Sequence, residues 1–431
     1  MDTNETVYLM EANYIVLASI ILFLTAFLLY SIRFTKFKRL DAYSFVCMFY
    51  AFSAFCSFVF YNASNGVFRD YQNITIPPAI YWNFCILVSF IPLRKYCVST
   101  PNLIVSNKQY FIIDKLSVFM CVIAILPFVE SILHLPSILA NQSAAADIYD
   151  KRLSGIATND YLSWFGRKFY FIEMLFSLVT PWLLCLQLKK DRLNKKLIFG
   201  LIACVLTDII HEMSNGGRSG LVQNFLYLFM VYMLFKGQMS PKIVKKVNFY
   251  GLIICGVAVM GLMVVTLARF ASDDNGNMDN PFIWMSLYAG EGLLNFNNNY
   301  WYINPPYSGY GVNSFLMGII DGHFRTVEES WEAGFKLGIQ GNIFYTWISS
   351  FFSDFGKYGA LIVICLMSFV LSTFRSYKRK RISVLSLGLL CLYSKILVVG
   401  VTFYTYTTTY NQMALYIAII FLLYLNKMKK V

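Results

Sequence analysis

Long apolar runs recur along the chain, separated by short polar stretches. Eleven approach the ~20 mostly apolar residues a helix needs to cross a bilayer. They fall at 13–32, 43–61, 79–93, 115–135, 169–187, 197–213, 219–235, 249–269, 359–374, 384–403 and 412–426. The third is short, and the tenth carries Lys395, a base deep in a span that needs a partner. The first follows an acidic segment (Asp2, Glu5, Glu11), and no small-residue cleavage site comes after it, so it reads as a span and not a signal peptide. The pattern predicts an all-α polytopic membrane protein of about 11 transmembrane helices, one integral membrane domain over 1–431.

The polar gaps set an orientation. With the N-terminus outside, the inner segments hold Arg33 to Arg39, Arg94 to Lys115, Lys189 to Lys196, Lys236 to Lys246, Arg375 to Arg381 and Lys427 to Lys430, together 25 of the 36 Lys+Arg. Only three acids, Asp41, Asp114 and Asp191, share that side. The bias alternates at every loop, which supports the span count and places the C-terminus in the cytoplasm. Most connections are short. The exception is a large outer loop, 270–358, between the eighth and ninth spans. Long loops in compact proteins are usually functional. Its stretches 282–296 and 342–352 are apolar and aromatic, and Trp284, Trp301, Trp331 and Trp347 suit a membrane interface. The loop therefore reads as a periplasmic cap over a lipid-accessible cavity.

Composition sharpens this. Hydrophobic residues are 58% of the chain and charged residues 14%, too little polar surface for a water-soluble globule. The formal charge of +13 is a topological label from the inner loops, which removes nucleic acid as the expected partner. Ten cysteines lie in spans or near the inner face and read as small core residues, not as a disulfide framework.

Charged groups at membrane depth are costly and are functional candidates by default. Asp208, His211 and Glu212 sit at i, i+3 and i+4, hence on one face of the sixth span. The turn Asn215-Gly216-Gly217-Arg218-Ser219-Gly220 then opens the seventh, where free N–H groups and Arg218 make an anion site. Arg269 ends the eighth span on the same side, either as an anchor or as a phosphate ligand, and Arg325 lies in the outer loop. The planar guanidinium fork suits phosphate. Asp208, His211 and Glu212 could hold a metal, but no metal signature accompanies them, and a wet polar face paired with Arg218 is the preferred reading. Glu130 and His134 read as an interfacial pair, and Glu173 as similar. The chain has three histidines, His134, His211 and His323, all on the outer side; His323 is the best-placed general base, against the plainer reading of a solvated loop histidine.

Three segments carry a family resemblance. Gly341-Asn342-Ile343-Phe344-Tyr345-Thr346-Trp347 through Ser353-Asp354-Phe355-Gly356-Lys357-Tyr358-Gly359 resembles the N-x-[YF]-T…DFG-x-x-G segment of bacterial Wzy-type oligosaccharide repeat unit polymerases. Gly217-Arg218-Ser219 resembles their [GS]-R-[ST] turn, and Leu287-Tyr288-Ala289-Gly290-Glu291 through Asn295 their Y-x-x-G…L-N segment. The likeness covers residues near 215–375; the first 200 match in hydropathy alone. It implies a multi-pass glycosyltransferase of the bacterial cytoplasmic (inner) membrane. Such an enzyme polymerises undecaprenyl-pyrophosphate-linked oligosaccharide units into O-antigen or capsule, without metal or other cofactor. A chain-length regulator protein is a candidate partner beside the lipid-linked substrate and the bilayer. Arg218, Asn342 and Asp354 are the matched positions. Arg218, Arg269 and Arg325 would meet the diphosphate, and His323 or Asp354 would serve as base. The rival readings are an O-antigen ligase and a lipid-linked oligosaccharide flippase or transporter. Against the transporter, the two halves do not match and the charges crowd one face.

Overall fold

The computed structural model describes residues 3–64, 71–140, 161–214, 219–270, 281–303, 309–336, 344–373 and 380–428. Described residues are overwhelmingly helical. The long helices are α1 (Thr3–Tyr30), α2 (Ala42–Ser64), α3 (Ile76–Ser99), α4 (Asn107–Ala140), α5 (Trp164–Phe176), α6 (Thr180–Leu188), α7 (Lys195–Ser214), α8 (Ser219–Phe235) and α9 (Pro241–Phe270). They continue with α10 (Pro281–Asn298), α11 (Tyr310–Asp321), α12 (Val327–Lys336), α13 (Trp347–Ser372), α14 (Val384–Val399) and α15 (Thr409–Lys427). Two short parallel strands, β1 (Asn102–Ile104) and β2 (Arg381–Ser383), pair Leu103 with Ile382.

A helix falls on each of the eleven predicted spans. Seven helical stretches are long and apolar enough to cross a membrane: Glu11–Thr35, Ala42–Ala63, Ile76–Ser99, Asn107–Ser137, Lys195–Ser214, Trp347–Ser372 and Thr409–Lys427. An eighth arises if α5 and α6, bent by 69°, count as one broken span. The chain is thus an all-α, multi-pass membrane protein in its architecture.

The outer loop departs from its predicted outline. Its described residues are built from α10, α11 and α12, and the ninth span starts well before residue 359. α13 begins at Trp347, and its backbone breaks once, at Gly356 (φ 68°, ψ −179°). Hydropathy falls at Ser353, Asp354 and Lys357, where the backbone breaks at Gly356, and helix resumes on the far side to Ser372. Trp347 packs inside the protein instead of on its surface. It is 1% exposed, and its indole Nε1–H donates to the Tyr50 hydroxyl at 3.3 Å.

The chain divides into two compact units. The first comprises 1–101, 282–380 and 393–412; the second comprises 102–281, 381–392 and 413–431. The first has an aromatic core. Phe23 of α1, Tyr50 of α2 and Trp82 and Phe90 of α3 pack with ring centroids 5.3 to 6.1 Å apart. Local chemistry sets the ends of its helices. Asp41 accepts from the Ser44 amide at 3.0 Å to cap α2, and Pro77 and Pro78 occupy the first turn of α3, where no amide donor is needed. In the second unit α4 lies along α7, and close approach is allowed by Gly200, where a Cβ would come within 2.5 Å of the Cys121 Sγ. A reciprocal Ser106–Gln109 box opens α4. Nine cysteines are free thiols among the described residues.

Candidate functional site

In the second unit, three helices bring together groups that the sequence presents separately. α7 offers Asp208, His211 and Glu212 on one face, and α4 offers Glu130, Ser131 and His134. Tyr161, just before α5, links them. Its hydroxyl pairs with His211 Nδ1 at 2.5 Å, and its ring stacks on His134 at 4.3 Å with planes 9° apart. Tyr170 of α5 covers the other side of His211, ring centroids 3.7 Å apart. His211 is buried, so Tyr161 and Tyr170 hold the imidazole in place. When the phenol donates, Nδ1 accepts and the ring proton sits on Nε2; when Nδ1–H donates to the phenol oxygen, Nε2 is the acceptor. Burial pushes the Tyr161 hydroxyl up to about 12 against nearby Ser131 and Ser214, keeping it a neutral donor at physiological pH.

Glycines admit the acids. Glu130 Oε2 accepts the Ser163 amide at 3.1 Å at the start of α5, and a Cβ on Gly166 would lie 2.0 Å from that oxygen. A Cβ on Gly220 would lie 2.6 Å from the Glu212 carboxylate. Glu173 of α5 is buried beside Asp208 and Thr207. Two of the three histidines, four carboxyl groups and two tyrosines thus share one neighbourhood. Such a cluster can accept, hold and pass protons. Among the described residues, no three His, Cys, Asp or Glu side chains converge as ligands for a metal ion.

The first unit holds the other predicted site residues, in different roles. Asp354 is buried, and its carboxylate accepts the amides of Gly311 at 3.2 Å and Val312 at 2.7 Å. These are orphan donors at the start of α11, after Gly309 in the left-handed region (φ 80°). Gly311 is needed there, since a Cβ would sit 3.0 Å from the Ser350 carbonyl. Asp354 therefore anchors α11 to α13, and its oxygens are engaged. His323 is exposed and pairs with Glu329 at 3.1 Å. Glu329 belongs to a capping box: it accepts the Thr326 amide at 2.7 Å, and its own amide donates to the Thr326 hydroxyl at 3.2 Å. That amide bond and His323 hold the Glu329 carboxyl below its ordinary range. Two cations lie on ring faces, Arg325 over Tyr310 at 3.6 Å and Lys357 over Trp301 at 3.7 Å.

The resembling segments meet through a residue the sequence reading passed over. Glu291 is fully buried; its carboxylate accepts the Tyr71 hydroxyl at 2.6 Å and the Phe344 amide at 3.2 Å. The Asn295 amide donates to the Phe344 carbonyl at 2.9 Å, and the rings of Tyr288 and Phe344 pack at 4.6 Å. Trp82 donates to the Thr346 hydroxyl at 3.2 Å. An acid inside an apolar aromatic run is the signal that would have singled out Glu291.

Asp208, His211 and Glu212 therefore belong to one unit, and His323, Arg325 and Asp354 to the other. Arg218 and Asn342 lie outside the described residues; Arg269 is on α9, with its side chain outside them. Searches of protein-family models, curated proteins and solved structures return no match to this chain.

Proposed function

We propose that the protein is a Wzy-type polymerase of undecaprenyl-pyrophosphate-linked oligosaccharide units at the outer face of the bacterial cytoplasmic membrane, with about 11 spans and its N-terminus outside. One observation carries the reading. The Tyr288–Asn295, Phe344–Trp347 and Asp354–Gly359 segments, separate in sequence, lie in one unit, and Glu291 and Asn295 bind the first two together directly. Scattered chance likenesses have no reason to be joined by buried polar bonds.

The chemistry is a glycosyl transfer. A hydroxyl of the acceptor glycan attacks the anomeric carbon of the lipid-linked donor. The bond from that carbon to the diphosphate oxygen breaks, and the diphosphate leaves on its carrier. Arg218 and Arg269, of the same unit as His211, are the cations proposed to meet the departing charge. The hydroxyl proton needs an acceptor. His211, in the tautomer whose Nδ1–H donates to the Tyr161 hydroxyl and whose Nε2 accepts, is proposed for that task over His323, which is exposed and paired with Glu329. Asp354 is assigned to scaffolding.

Deleting the gene in its host and separating the surface glycan on a gel tests the reading. Single repeat units in place of a ladder, restored by the wild-type gene and not by Arg218→Ala, are expected. Loss of all surface glycan points to a flippase or ligase instead.

A further inference from the structure

The segments that close α1 and α3 in the first unit carry six bases and a single acid. Arg33, Lys36, Lys38 and Arg39 follow α1, Arg94 and Lys95 stand near the end of α3, and Asp41 is the acid. Two contacts join the segments. The Arg39 guanidinium donates to the Cys97 carbonyl at 3.3 Å, and Arg94 lies over the Phe34 ring at 5.5 Å. Asp41 is already engaged, accepting the Tyr30 hydroxyl at 2.6 Å and the Ser44 amide at 3.0 Å. Lys95 is engaged as well, donating to the Ser372 carbonyl at the end of α13 at 3.4 Å. Arg33 differs from these and shares the setting of Arg94. It lies over the same Phe34 ring, at 5.4 Å, and among the described residues neither guanidinium forms an ion pair.

Two cations held over one ring repel each other, and the ring offsets little of that at an exposed site. A shared anion removes the repulsion, and the guanidinium fork is shaped to bind two phosphate oxygens. The backbone supplies a second, independent pointer. α1 runs into a π-helical turn, Ser31–Thr35, and the two residues after it, Lys36 and Phe37, are both left-handed (φ 49° and 56°) although neither is glycine. Such backbone is costly and concentrates at ligand sites. Here it brings the Phe37 ring back beside α1, 6.5 Å from that of Phe27, while leaving Phe37 59% exposed. Aliphatic neighbours continue this surface. Leu29, four residues before Arg33, and Ile91, three residues before Arg94, share helix faces with the arginines and are exposed. A ligand here meets paired cations and an apolar surface together. Free phosphate uses only the first. A phospholipid uses both, its phosphate at the arginines and an acyl chain along Leu29 and Ile91.

We propose that Arg33 and Arg94 form a binding site for the phosphodiester of an anionic glycerophospholipid, with Phe34 holding the two guanidinium groups and the exposed apolar residues beside them carrying an acyl chain. The inference uses none of the residues assigned to glycan transfer and stands or falls on lipid binding alone.

Purified full-length protein in a neutral detergent is titrated with phosphatidylglycerol bearing a fluorescent acyl chain, and fluorescence polarisation reads the binding. Saturable binding is expected, displaced by unlabelled phosphatidylglycerol and not by phosphatidylcholine or inorganic phosphate. Arg33→Gln and Arg94→Gln should each weaken it by at least ~10-fold. Arg94→Lys keeps the charge but not the fork, so its affinity should fall between those of the wild type and Arg94→Gln. Arg192→Gln removes an equal charge from the second unit and should bind as the wild type does. Absence of saturable binding overturns the proposal, and so does displacement by inorganic phosphate or phosphatidylcholine. Equal losses in Arg33→Gln, Arg94→Gln and Arg192→Gln, or full affinity in Arg94→Lys, mark diffuse charge attraction and overturn the site. If one of the two site variants does not elute as a folded species, the other decides, and unchanged affinity in it refutes the site.

Discussion

Gly290 lies where α10 meets the backbone of α2, and replacing it with alanine tests how the first unit is held together. A Cβ there would come within 2.3 Å of the Ser57 amide nitrogen and 2.4 Å of the Cys56 carbonyl carbon. Both are backbone atoms, so no side chain can rotate away. The helices would have to part by roughly 1 Å to reach normal contact. Parting strains two bonds made by α2 to this segment, from the Ser57 hydroxyl to the Gly290 carbonyl at 2.6 Å and from the Ser53 hydroxyl to the Ala289 carbonyl at 2.7 Å. Overpacking of this kind costs about 1–3 kcal/mol, and each lost bond about 0.5–1.5 kcal/mol. The expected destabilisation is about 2–6 kcal/mol, a large part of a typical ~5–15 kcal/mol stability. Gly251 of α9 is the matched control, with nothing within 4 Å of its Cβ position; Gly251→Ala should be neutral or stabilise by up to ~1 kcal/mol. Thermal unfolding of the purified variants reads both. If Gly290→Ala melts with the wild type, or Gly251→Ala falls as far, the close-contact argument is wrong.

Other expectations concern the kink and the cluster. Gly356→Ala places a side chain at φ 68° with extended ψ, a region almost reserved for glycine, and should cost about 1–3 kcal/mol in thermal unfolding. Tyr161 has its hydroxyl raised from 10.0 to about 12, so its contribution to stability is complete below pH 10 and is lost as pH rises toward 12. Tyr161→Phe should lack that component of alkaline destabilisation, read as the difference between the melting temperatures of variant and wild type across that window; identical pH profiles would contradict it. In cells, His211→Gln should shorten or abolish the glycan ladder, whereas His323→Gln should leave it intact; the reverse result would return the base to the outer loop.

Much of the helical plan was legible because hydropathy alone determines which stretches tolerate lipid. The break in the fifth span was not. Residues 169–187 carry one charged group, Glu173, in an otherwise largely apolar run, and only Pro181 hints at a new helix start. The start of the ninth helix was obscured for the opposite reason, since Asp354 and Lys357 interrupt the apolar signal on either side of the break at Gly356. Site residues divide in the same way. Asp208, His211 and Glu212 declare their shared face by spacing, which is local. Their convergence with Glu130, His134, Tyr161 and Glu173 depends on how α4, α5 and α7 pack, and no spacing encodes that. Asp354 looked like a free carboxylate because its partners, Gly311 and Val312, lie more than forty residues upstream. Tyr161 sits in a polar stretch beside no motif, and its role appears only when its hydroxyl reaches His211.

The central claim is chemical, and the most direct test supplies the substrate. The purified protein is reconstituted in liposomes with the host's undecaprenyl-pyrophosphate-linked repeat unit, and the products are separated by size. A ladder of two, three and more repeats, with release of the carrier diphosphate, is the predicted result. Unchanged single repeats with no carrier release, from protein shown to be folded and inserted, would contradict the account.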